Sequence, residues 1–231
     1  MEACDPNARA FPLLVPPHGS DLQIGSEPIP DESIRFGITD GWSSVVSPED
    51  LFYALIATQF SPAYLLNLQV PLDGFPGVPV PGNQSDFERA AELGRQLADL
   101  VDPLCPVAGI TSGSLDDRIR DVGEAVVGAE SAISVGTRTA PGRWLPEDGG
   151  RVHWSTDSYW RGISDEIWGF RMGGFAVIPK WLSYRWGQEL SAAEIGFVQE
   201  TARRIGMTIS LHEELDQIYA SAASDPLVTP G

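Results

Sequence analysis

The chain has 231 residues, 42% of them hydrophobic and 20% charged, a composition that supports a buried core and excludes wholesale disorder. Its 32 acidic residues against 15 basic leave a net charge of −17, which argues against a free-standing protein that grips nucleic acid through a broadly basic surface. No apolar run approaches the roughly 18 residues that a membrane span needs, so the expectation is a protein without a membrane segment.

Residues 1–46 are rich in Pro, Gly, Asp and Ser, with short apolar pieces such as FPLLV and IRFGI. They read as an irregular segment carrying one or two short strands, and the opening MEACDPNARAFPLLVPP has no basic stretch or long apolar run of a secretory signal. A helix is predicted from Ser47: Ser47 as N-cap, Pro48 at the first helical position, Glu49 and Asp50 at the positive end of the dipole. Apolar residues cover nearly its whole circumference through LFYALIATQF, which predicts a buried helix. Ser61 and Pro62 start a further short turn with Ala63, Tyr64 and Leu65. The Pro-rich VPLDGFPGVPVPG then lacks amide donors and favours extended backbone, an extended strap.

A second long helix is predicted from Ser85, with Ser85 and Glu88 as a capping box and Ala90, Leu93, Leu97 and Leu100 at helical spacing, ending near Asp102-Pro103. Residues 104–155 hold Gly-rich breaks and β-compatible pieces, AISVGTRT and GRVHW, that read as a small sheet. ISDEIWGFRMGGFAVIPKWLSYRWGQ concentrates aromatic residues around Gly173-Gly174, where a turn with positive φ is expected. Trp168, Gly173, Gly174, Phe175, Trp181 and Tyr184 are expected to build the core of this block. A final helical region opens on the capping box Ser191/Glu194, with Ile195, Val198, Ala202, Ile205 and Ile209 on one stripe and Gly206 weakening its middle. No internal repeat is visible. The fold class is therefore α+β: helices packed around a small mixed sheet, in a single large domain of residues 47–219, preceded by the segment 1–46 and followed by a tail, 220–231.

The chemistry-bearing residues are sparse. Lys180, in IPKW, is the only lysine, so the Gly-Lys-Ser/Thr of a phosphate loop is missing. A lysine just after an acidic nuclease ligand is missing as well, because residue 178 is Ile. MGGFAV lacks the third glycine of a dinucleotide fingerprint, and there is no Asn-Pro-Pro-aromatic run of the kind with which amino-methyltransferases hold a target amine. Cys4, Cys105, His18, His153 and His212 fall at no metal-ligand spacing, and two cysteines make no disulfide framework, which suits a cytoplasmic protein. No catalytic, cofactor-binding or metal-binding residue is expected.

Charge is unevenly placed. Six basic against twenty acidic residues through Glu130, and nine against twelve after it, leave −14 and −3. Between Ser134 and Gly187 the basic residues outnumber the acidic by two. This stretch supplies the candidate DNA contacts: Arg138, Arg143 and Arg151 in the Gly-rich middle, with Arg171, Lys180 and Arg185 around the aromatic block. A second reading takes the tryptophans, Tyr and carboxylates of WLPEDGGRVHWSTDSYWRG as a carbohydrate-binding or glycoside-hydrolysing platform, with Asp157 and Glu166 as its acids. A third is a truncated remnant with a core and no function.

Three segments in order resemble the C-terminal specificity region of the Type ISP single-polypeptide restriction-modification enzymes. SPEDLFYALIATQFSPAYLLNLQVPLDGFPGVPVPG is similar to that family's helix, Ser-Pro-Ala-Tyr turn and Phe-Pro strap. FERAAELGRQLADL is similar to the helix that follows. IWGFRMGGFAVIPKWLSYRWGQELSAAEIGFVQETARRIGMTISLHEELD resembles the closing block with its Gly-Gly-aromatic segment, Lys-Trp-Leu-x-x-Arg helix and terminal helix. RAFPLLVPP also resembles the strand just upstream, where the methyltransferase of that family ends.

The resemblance covers about residues 47–103 and 159–217. It implies DNA target recognition, with double-stranded DNA and a methyltransferase domain or subunit as partners, in an adenine N6 methyltransferase or restriction system. It also implies that S-adenosylmethionine, ATP and Mg belong to catalytic domains of the full system and not to this chain, which lacks their motifs. Pro179 departs from the family pattern and is expected at the first helical position.

Overall fold

The computed structural model describes residues 47–68, 78–130, 132–146, 149–172 and 174–227. The strands expected in 1–46 and most of the Pro-rich strap lie outside these residues. The chain divides into two compact units, Met1–Gln96 with Glu214–Gly231, and Leu97–Glu213.

In the first unit, α1 (Pro48–Gln59) starts on Ser47, whose hydroxyl accepts from the Asp50 amide as the sequence predicts. Among the side chains of α1 that the structure describes, only Ala54, Ala57 and Thr58 are buried and most of the larger ones are half-buried, so the all-round apolar pattern overstates its burial. The short α2 (Pro62–Asn67) starts on Ser61. Its first turn meets Asp216 of α7 (His212–Ser224): one Asp216 oxygen accepts from the Ser61 hydroxyl at 2.6 Å and from the Ala63 amide at 3.0 Å. A carboxylate at that position satisfies an orphan amide and complements the helix dipole.

The long helix α3 (Gln84–Val101) begins one residue before the expected Ser85 cap. Asn83 does the capping: its Oδ1 accepts from the Asp86 amide at 2.9 Å, and its side-chain amide donates to the Asp86 carboxylate at 2.7 Å. Asn caps as well as Ser does, and the Asn83/Asp86 pair sits two residues before Ser85/Glu88. Ala90, Leu93, Leu97 and Leu100 form the predicted buried stripe. At Gly94 a Cβ would fall 1.9 Å from the Tyr53 carbonyl oxygen, so α1 and α3 cross backbone to backbone there.

The second unit is a four-stranded sheet in the order β1 (Glu124–Val126), β4 (Tyr159–Arg161), β3 (Arg151–His153), β2 (Arg143–Leu145). Every pairing is antiparallel, which corrects the expected mixed sheet. AISVGTRT forms no named strand; Ala132 and Gly136 make isolated bridges, and Thr137 to Ala140 close a tight turn through reciprocal amide bonds. Alternation along the strands sends Val152 and Trp160 inward, where Trp160 lies 4.0 Å, ring centre to ring centre, from Trp154. The indole N–H of Trp160 donates to the Ile195 carbonyl and that of Trp144 to the Ile163 carbonyl, which removes the cost of burying those donors.

Onto this sheet fold α4 (Asp165–Gly169), the hairpin β5 (Arg171–Met172) and β6 (Phe175–Ala176), α5 (Val177–Ser183) and α6 (Ala192–Ser210). α6 opens on the predicted Ser191/Glu194 capping box and packs against α4, α5 and β1. Ile195, Val198, Ala202 and Ile205 are its buried stripe, joined to Ile167, Ile178, Leu182 and the sheet tryptophans in one core. Pro179 is the third residue of α5, not the first; the first four amides of a helix have no internal partner, so proline fits there equally well. On α6, Arg204 reaches the end of α3, where its guanidinium donates to the carbonyls of Asp99, Leu100, Asp102 and Cys105. The fold is thus α+β, with seven α-helices among the described residues.

Candidate functional site

Three of the six predicted cations share one cleft of about 460 Å³. Arg138, Arg171 and Lys180 line it together with Phe175 and Tyr184; Thr139, Ala176, Pro179 and Ser183 complete the wall, and among the described residues no carboxylate lines it. Local structure explains the convergence. The β5–β6 hairpin pairs Arg171 with Ala176 and Met172 with Phe175, and Gly174 turns it at φ +85°, in the left-handed region where glycine carries no Cβ penalty. Arg171 is tied back to the hairpin by donating to the Gly174 carbonyl. The hairpin runs directly into α5, which carries Lys180, and Tyr184 follows one turn later. Arg138 stands in the Thr137–Ala140 turn.

Phe175 and Tyr184 correct an expectation. The sequence places both in the core, yet they are 57% and 68% exposed. Their rings flank the Lys180 ammonium, whose nitrogen lies 5.0 Å from the Phe175 ring centre and 4.9 Å from that of Tyr184. Such contacts favour a fixed ammonium position over a freely waving one. Trp168 and Trp181, by contrast, do pack against the core. The signal that could have separated the two groups is spacing: Ile178 and Leu182 hold the buried side of α5, and Tyr184 falls off that stripe.

The other three predicted cations are placed elsewhere. Arg143 and Arg151 lie on the outward side of the sheet, where Arg143 pairs with His153 and Arg151 lies 4.7 Å above the Tyr159 ring. Arg161 on the same side is held by Glu124. Arg185 is taken up by internal contacts: its Nε donates to Glu194 at 2.8 Å and its guanidinium stacks 3.8 Å from the Trp181 ring centre. The Ser191 amide, with the Arg185 guanidinium beside it, holds the Glu194 carboxyl down at about 2.

Asp157 and Glu166, the acids of the carbohydrate reading, have different surroundings. Asp157 accepts from the backbone amides of Ala129 and Glu130, at 2.7 and 3.2 Å, and the Ala129 amide is the main cause that lowers its carboxyl below the ordinary value. It staples a loop. Glu166 lies exposed in the first turn of α4, whose Ser164 cap accepts from the Ile167 amide. Among the described residues no cluster of His, Cys, Asp and Glu could hold a metal ion, and no helix is long and apolar enough to cross a membrane.

A family model described as the Type ISP C-terminal specificity domain matches residues 2–205. Among solved structures, a nuclease-deletion mutant of the Type ISP restriction-modification enzyme LlaGI in complex with a DNA substrate mimic is 18% identical, with a TM-score of 0.42 over 75% of this chain and 14% of that one. This chain therefore spans a small part of that enzyme's length. No curated protein matches.

Proposed function

The chain belongs to the Type ISP C-terminal specificity domain family, and from that premise we propose that it recognises a DNA target on behalf of a restriction-modification enzyme, with the three-cation cleft as its main hold on the phosphate backbone. The observation that carries this reading is the meeting of Arg138, Arg171 and Lys180 in one cleft, with no carboxylate among the described residues that line it, inside a chain of net charge −17. Such a cleft gathers positive potential locally while the remaining acidic surface repels the polyanion. Phosphate contacts fix orientation; base identity is read by other donors in the groove.

In this reading Arg143 and Arg151 on the outward side of the sheet add further contacts, and Arg185 positions α5 against α6. The partner is a methyltransferase domain or subunit of the same system. S-adenosylmethionine, ATP and Mg serve that catalytic part, and this chain contributes recognition. The test is DNA affinity, by fluorescence anisotropy at low and moderate salt, for the chain with and without the methyltransferase region of a Type ISP enzyme. The expected result is tighter binding with both present, weakened by R138Q, R171Q and K180Q together. Unchanged affinity in that triple variant overturns the assignment of the cleft.

A further inference from the structure

We propose that the cleft seats a single unpaired nucleotide, its phosphate among Arg138, Arg171 and Lys180 and its base against the exposed ring of Tyr184. This deepens the DNA reading and rests on it. Phosphate binding alone needs only the cations. The cleft also presents two large aromatic side chains, Phe175 and Tyr184, at 57% and 68% exposure beside the ammonium of Lys180. In an intact duplex every base face is covered by its neighbours in the stack, so a ring can stack on a base only by unstacking it. An unpaired base offers a free face, and a ring adjoining a positive groove is the arrangement by which proteins hold single strands.

Size agrees with the assignment. A cleft of about 460 Å³ falls in the range of about 300–1,000 Å³ typical of small-ligand sites. Position agrees too. Tyr184 follows the last residue of α5, which Ile178 and Leu182 anchor in the core, and Phe175 lies at the hairpin turn that runs into the same helix.

The experiment uses the 231-residue chain at low salt with two probes of equal strand length: a fluorescein-labelled single strand carrying one 2-aminopurine, and the corresponding duplex. Wild type is expected to bind the single strand at least about fivefold more tightly than the duplex, with quenching of the 2-aminopurine as it stacks. Y184L is expected to weaken single-strand binding about tenfold and abolish the quenching, while duplex affinity moves less than twofold. Circular dichroism and melting temperature check that the variant folds; F175L supplies a second ring deletion. The proposal is overturned if wild type fails to bind the single strand, or if Y184L and F175L leave both probes unchanged or shift both alike. K180Q separates this failure from that of the underlying reading: loss of duplex binding in K180Q with silent ring variants keeps the DNA reading and discards the nucleotide seat, whereas no effect of K180Q on either probe discards both.

Discussion

Arg204 donates to the carbonyl of Asp102 at 2.9 Å, and the same guanidinium takes the Asp99 carbonyl at 2.9 Å and that of Cys105 at 2.7 Å. The Arg204 side chain is 7% exposed, and its one acidic partner, Glu200, accepts at 2.8 Å from the helical turn before. A helix end leaves its last carbonyls without internal partners; here one buried side chain from α6 satisfies those of α3 and the chain just beyond. Arg204→Met therefore strips several buried acceptors at once. The expected loss is about 3–5 kcal/mol in urea unfolding. R89A, which removes exposed pairs to Glu92 and Glu214, is expected to cost under about 1 kcal/mol.

Two glycines of the long helices should respond in opposite senses. Gly94→Ala would drive a methyl into the Tyr53 carbonyl and force α1 and α3 apart. Gly196, exposed on α6, has nothing within 4 Å of a built Cβ. G196A should stabilise by up to about 1 kcal/mol through better helix propensity, while G94A should lower the melting temperature well beyond any ordinary surface change. Thermal melts monitored at 222 nm distinguish them.

Acid should weaken the start of α6. The Glu194 carboxyl sits at about 2, against an ordinary 4.5, because the Ser191 amide and Arg185 favour its charged form. A folded value below the unfolded one gives stability that is complete above about 4.5 and is lost as pH falls toward about 2. E194Q should flatten the drop in melting temperature between pH 5 and pH 2 without removing it, since Asp116, held at about 2 chiefly by the Arg118 side chain, titrates in the same window. An unchanged profile in E194Q contradicts the assignment. S191A, which deletes the cap hydroxyl, should cost about 1 kcal/mol at neutral pH.

The cleft cations and Arg185 should also differ in kind. Each of R138Q, R171Q and K180Q is expected to lower DNA affinity uniformly across sequences and to reduce the slope of log affinity against log salt by about 1. R185Q should mainly lower stability, because its partners are Glu194 and the Trp181 ring. Salt titrations of binding, beside denaturant curves for the same four variants, check the division.

How much of the fold is legible in the sequence depends on how local each interaction is. The Ser47 and Ser191 caps, the stripe of α3 and that of α6 lie within one or two helical turns of sequence, so periodicity and capping chemistry were enough to place them. At the start of α3 several capping residues follow one another, and only geometry chose Asn83 over Ser85. AISVGTRT has strand composition, but its tight turn and isolated bridges left it outside the sheet. In the site, Arg138, Arg171 and Lys180 stood out as cations of a locally basic stretch. Their meeting followed no local pattern; the exposure of Tyr184 was legible only in its place off the Ile178/Leu182 stripe.

The sequence by itself determined an α+β chain of the Type ISP specificity family, with its helix starts, its aromatic closing block and the excess of positive charge between Ser134 and Gly187. The tertiary structure decided which of those charges act together. It closed a turn to bring Arg138 to a cleft that Arg171 and Lys180 already line, and it fixed Arg185 between Glu194 and Trp181. The physical reason is that a cation's surroundings depend on groups distant along the chain, and charge counts carry no record of those distances.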